Sequence, residues 1–149
     1  MRTPIVVIVS LGLLGIATPS AHAGAPGTMV LTSEQVDTAD ADFEKDAKKK
    51  QVSSLTKTGD QWTLYFLAFL KKAPGSKQVD LVFYDTAEKK HEPTQAFPIV
   101  TQPTAKILTS SVNFNADQGF KAGHKYNVMV TRLIGGHEDV YARSTITLK

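Results

Sequence analysis

Few side chains in this sequence have a type and spacing that could do chemistry. Cysteine is absent, which removes thiol nucleophiles, zinc–thiolate centres and disulfides together. Past residue 23 the histidines are His91, His124 and His137, each in or beside an expected loop and none with a second histidine at ligand spacing. His137-Glu138-Asp139 puts three metal-capable groups in a row, but at a turn, where solvated polar residues collect for conformational reasons alone. Met29 and Met129 do not assemble the His- or Met-rich cluster on which small exported copper-binding sandwiches depend. Asp40 and Asp42 have the spacing of the first two ligands of a calcium loop, yet Lys45 stands where a Gly is needed and Gln51 where a bidentate Glu is needed. No Gly-x-Ser-x-Gly segment offers a serine nucleophile, and Ser53-Ser54 and Ser110-Ser111 lie in or near expected strands. Gly135-Gly136 leads into a strand, not into a helix as a phosphate loop does. Nothing local points to the paired carboxylates of glycoside hydrolysis. The reading is a non-enzyme with no catalytic, cofactor-binding or metal residue and no cofactor.

A surface is the better functional hint. Along Trp62 to Leu70 one face of an expected strand carries Trp62, Leu64, Phe66, Ala68 and Leu70, and the other carries Tyr65, Leu67 and Phe69. The run from Val79 shows the same double character, with Val82 and Tyr84 on its second face. If the two strands share a sheet, Tyr65, Leu67, Phe69, Val82 and Tyr84 form an outward apolar surface that something must cover. The internal cover is a helix expected over 33–50, where Val36, Ala39, Phe43 and Ala47 recur at spacings of three and four. Thr32 and Gln35 have the form of its capping box, and acidic residues early with Lys48 to Lys50 late suit the helix dipole. The external cover is a partner protein.

The elements that position these residues read as strands. Thr28 to Leu31 is a short first one; Val52 to Thr58 and Trp62 to Lys71 flank Gly59-Asp60 as a hairpin. Gln95 to Thr101 is confined to an edge, because Pro98 has no backbone donor. Leu108, Ser110, Val112 and Phe114 alternate in another strand. Tyr126, Val128 and Val130 alternate before Gly135-Gly136, and Val140, Ala142, Ile146 and Leu148 after it, as a closing hairpin. A two-residue turn there would set Val130 opposite Tyr141. A three-residue loop or a nearby bulge would set it opposite Ala142, which both strands need to feed one core.

Phe120, Ala122, Gly123 and Tyr126 resemble the tyrosine-corner segment of fibronectin type III and other immunoglobulin-like domains. That resemblance implies a buried Tyr126 whose hydroxyl bonds to backbone a few residues upstream. With turns every eight to twelve residues, the fold class is all-β: an immunoglobulin-like antiparallel β-sandwich of about seven strands with one short helix near the N-terminus.

Arg2, the apolar run Ile5 to Ile16 and Ala21-His22-Ala23 form an export signal over 1–23, too short for the roughly 18 to 20 residues of a membrane span. Residues 24–149 then make a single sandwich domain with no integral membrane segment. Without Arg2 they carry 16 Lys and Arg against 14 Asp and Glu, scattered except at Lys48-Lys49-Lys50, so no nucleic-acid partner is expected. The expectation is an exported module, in the periplasm or outside the cell, that acts through contacts with another protein; a small-ligand or metal carrier is the alternative.

Overall fold

Apolar and polar side chains alternate through most of the chain, and backbone groups in such segments are satisfied most fully in a sheet. The computed structural model describes residues 24–149; the expected export signal lies outside the described residues. Eight strands form: β1 (Thr28–Thr32), β2 (Ser54–Leu55), β3 (Gln61–Phe69), β4 (Gln78–Asp85), β5 (Gln95–Val100), β6 (Ile107–Asn115), β7 (Lys125–Ile134) and β8 (His137–Leu148). One α-helix, α1 (Phe43–Lys49), interrupts them. The strands follow one path, β5-β4-β7-β8-β1-β3-β6, with β2 beside β8. Pairing is antiparallel except where β8 meets β1 and β2. The protein is therefore all-β with one short helix, as the alternation implies.

The path bends so that its two ends face each other across one core. Phe83 of β4 lies 5.1 Å from Phe114 of β6, ring centre to ring centre, and Phe114 lies 5.8 Å from Trp62 and 4.3 Å from Phe120. Trp62, Phe83, Phe114 and Phe120 are all buried, and burial of each such ring contributes about 1.5 to 3 kcal/mol. Trp62 Nε1 donates to the Lys149 carbonyl at 3.0 Å, so the one indole donor of the chain is satisfied at the C-terminus.

Tyr126 is fully buried, and its hydroxyl accepts from the Lys121 backbone N–H at 2.9 Å. Gly123, at φ 86°, turns the chain between them, and its own N–H reaches the Leu148 carbonyl at 2.7 Å. The corner implied by the segment 120–126 is formed.

The closing hairpin takes the second of its two expected forms. Ile134 pairs with His137 around a two-residue turn, with Gly135 and Gly136 at φ 57° and 81°. The register then shifts between Val130 and Thr131, so that Val130 pairs with Ala142 and Val128 with Ser144. Tyr141 is the extra residue of this bulge, and it is buried beside Ala142.

Two expectations are corrected. Segments 52–58 and 62–71 do not form a hairpin: only Thr58 and Gln61 bridge across Gly59-Asp60, while Ser54 and Leu55 pair with Thr147 and Leu148 of β8. β3 is already satisfied on both sides, by β1 and β6. The helix also does not run over 33–50. Thr32 remains in β1 and its hydroxyl donates to the Glu34 carbonyl, so no capping box starts there. Asp37 and Asp40 accept from the N–H groups of Ala39 and Asp42, two residues on. Such local side-chain bonds offer the backbone an alternative to helix, and only Phe43–Lys49 coils.

Candidate functional site

The five residues of the expected surface lie on the outer face of one sheet but in two separate patches, because β7, β8 and β1 stand between β4 and β3. Tyr65, Leu67 and Phe69 belong to β3, between β1 and β6, whereas Val82 and Tyr84 belong to β4, between β5 and β7. On β4, Tyr84 is buried: the His91 ring stacks on it at 4.1 Å, and its hydroxyl reaches both carboxylate oxygens of Glu138 at 2.7 and 2.8 Å. Loss of hydration, then the bond to Glu138 and its charge, push the Tyr84 phenol up to about 12, so it stays a donor. Val82 is buried as well.

On the β3 side the pairing register builds rows across three strands. Thr28, Phe69 and Ile107 form one row, Val30, Leu67 and Thr109 the next, and Thr32, Tyr65 and Ser111 the third. Cross-strand neighbours share a face, so this outer face grades from apolar at Phe69 to hydroxyl-bearing at Tyr65. The apolar end is covered from within. Val30, Ala47, Leu67 and Phe69 form a second, smaller core against which Val36, Phe43 and Ile107 pack. The segment after β1 thus supplies the cover expected of the helix, with Val36 reaching it from outside any helix.

The cover stops short of the third row. Between it and the sheet lies a cleft of about 380 Å³, with Tyr65, Thr32, Thr38, Gln35, Thr109 and Ser111 among its lining residues and no charged side chain. Hydroxyls and an amide there can exchange hydrogen bonds with an uncharged polar group.

The cleft opens beside the far edge of the sheet. Among the described residues β6 pairs with β3 alone, in an unbroken register of nine residues from Ile107 to Asn115. The Leu70 N–H bonds to the Lys106 carbonyl, which sets the alternation: even-numbered residues of β6 exchange bonds with β3, and Ile107, Thr109, Ser111 and Asn113 turn their backbone groups outward. Edge strands are usually blunted by Pro, charge or a bulge. β5, the other end of the path, has Pro98 at its centre. β6, Ile-Leu-Thr-Ser-Ser-Val-Asn-Phe-Asn, has none of these devices.

The histidines and carboxylates whose types could do chemistry lie elsewhere. Among the described residues no three His, Cys, Asp or Glu side chains are grouped to hold a metal ion. Asp40 serves the local turn to Asp42. His124 lies 2.7 Å from Asp85, at the core end beside Tyr126. Burial opposes ionisation of Asp85, but the Ala87 N–H, His124 and the charge of Lys121 together hold its carboxyl below the usual range. The edge residues Thr109, Ser111 and Asn113 were readable in the sequence as a strand face, but an edge is a property of the sheet order. No protein-family model, curated protein or solved structure matches this chain.

Proposed function

We propose that the protein is an exported, non-enzymatic module with an immunoglobulin-like sandwich, and that it acts through protein contacts, by pairing an extended segment of a partner chain with the free edge of β6. The observation that carries the reading is the unprotected edge: nine residues in regular register, free of Pro, charge and bulge. Strand addition to such an edge gains main-chain hydrogen bonds, and side chains of the added strand alternate onto the cleft beside Tyr65. The immunoglobulin-like assignment is supported by the Tyr126 corner and by β1 running parallel beside β8 while it pairs with β3.

Ser111→Pro tests the reading with little cost to the fold. The Ser111 N–H faces outward, so proline removes no bond to β3 and its ring blocks the edge. A photo-cross-linking amino acid at Asn113, introduced in the producing cell, should give a discrete protein adduct that Ser111→Pro abolishes, while the same probe at Val100 of β5 gives none. Equal adducts at both edges, or an adduct indifferent to Ser111→Pro, would refute it. A carrier of a small uncharged ligand is the second reading, favoured by the hydroxyl-lined cleft. Native mass spectrometry of the protein as isolated would then show a bound mass that Tyr65→Ala and Ser111→Lys each remove.

A further inference from the structure

Resting on the β6 reading, we infer that the segment paired with this edge is β6 of a second copy, related by a two-fold axis through Ser111. The outward backbone groups belong to odd-numbered residues, so an antiparallel copy must set odd against odd to exchange both bonds of each pair. A two-fold at Ser111 does this over the middle of the strand: Ser111 faces Ser111 and Thr109 faces Asn113, while Ile107 comes opposite Asn115, whose N–H is already held by the Gln118 Oε1 at 3.0 Å. Even-numbered residues then also face one another, Leu108 with Phe114 and Ser110 with Val112, so the inward layer of one copy continues into the next.

Side-chain chemistry agrees with this register. The Thr63 hydroxyl holds the Asn113 Oδ1 at 2.8 Å, which leaves the Asn113 amide nitrogen to donate to Thr109 of the second copy. Thr109 and Ser111 line the cleft, so Asn113 of the second copy brings an uncharged amide to a cleft without charged lining. No like charges oppose each other along the strand, since β6 has none. At its ends the pairing sets Lys106 of one copy opposite Ala116 of the other, next to Asp117 of opposite sign. Both are exposed and free to approach. Closed two-fold pairing also consumes both edges, so it ends at the dimer and does not propagate.

The absence of cysteine gives a clean test. Directly opposed residues of a hydrogen-bonded antiparallel pair have Cα atoms about 5.5 Å apart, within disulfide reach. Under mild oxidation Ser111→Cys should cross-link to a covalent dimer, while Asn113→Cys, whose two-fold counterpart is Thr109, should cross-link at least tenfold more slowly. Sedimentation over a concentration series should show a reversible monomer–dimer equilibrium for the parent and a monomer for Ser111→Lys, with circular dichroism confirming that the variant folds. Equal cross-linking at the two positions, a parent that stays monomeric to its solubility limit, or a dimer that survives Ser111→Lys overturns the inference. If the second copy fails these tests while the Asn113 photo-adduct with a different protein persists and is lost in Ser111→Pro, the edge reading stands and only the identity of its occupant falls. If that adduct is also absent, both fall.

Discussion

Tyr126 and Asp85 show how single side chains close the end of the core. Tyr126 is fully buried, and its hydroxyl is the acceptor for an otherwise unpaired Lys121 N–H. Tyr126→Phe keeps the ring and orphans that donor, and should lower stability by about 1 to 2 kcal/mol in chemical denaturation; a variant as stable as the parent would show that the bond contributes nothing. Asp85 sits beside it, with its native carboxyl held below the ordinary value of 3.8. A depressed native pKa means that the stabilisation is present above the unfolded value and is lost as pH falls through the native one. The stability difference between the parent and Asp85→Asn should therefore be largest near neutral pH and shrink below pH 3.8. A difference that stays constant down the acid limb would remove the electrostatic account. The tyrosine corner was legible in the sequence because its parts lie within seven residues. The Asp85 to His124 contact was not, because it joins residues 39 apart on either side of a strand pairing.

At the scale of elements, the closing hairpin is governed by two glycines and one bulge. Gly135 and Gly136 both occupy the left-handed region, as a two-residue hairpin turn requires. Gly136→Ala should cost about 1 to 2 kcal/mol, with Gly136→Asn costing less, because asparagine tolerates that conformation better; thermal melts of the pair check the order. The need for an odd offset was readable from the spacing of Val128, Val130, Val140 and Ala142, but Val140 itself ends opposite Thr131, half-buried and outside the core, because the bulge falls between it and Ala142. Whether a longer loop or a bulge supplied it depended on where Tyr141 could be buried. The helix expected over 33–50 went the other way. Its apolar spacing was real, since Val36, Phe43 and Ala47 all pack on one small core. That packing needed no continuous helix once Asp37 and Asp40 had bonded their own backbone.

For the whole molecule, two hydrophobic clusters on opposite faces of β3 have separate covers. The large one includes the single tryptophan, and the small one lies under α1. Ala47 is completely buried there, so Ala47→Asp places a charge where it finds no water. The expected result is release of the cover alone: dye binding to exposed Leu67 and Phe69 should rise while Trp62 fluorescence keeps its native position. A simultaneous shift of Trp62 would mean that the two clusters melt as one unit. The sequence by itself determined which segments are strands, which of their faces are apolar, where Pro98 forces an edge and where Tyr126 turns a corner, because those features follow from periodicity and local backbone chemistry. Only the tertiary structure decided that β7, β8 and β1 stand between β3 and β4, so that Tyr65, Leu67 and Phe69 are not contiguous with Val82 and Tyr84 on the outer face. It also decided that β6 is the last strand of the path among the described residues. Strand order is set by which long-range pairings satisfy the most backbone groups while closing one core, and no local pattern in a single strand records its neighbours.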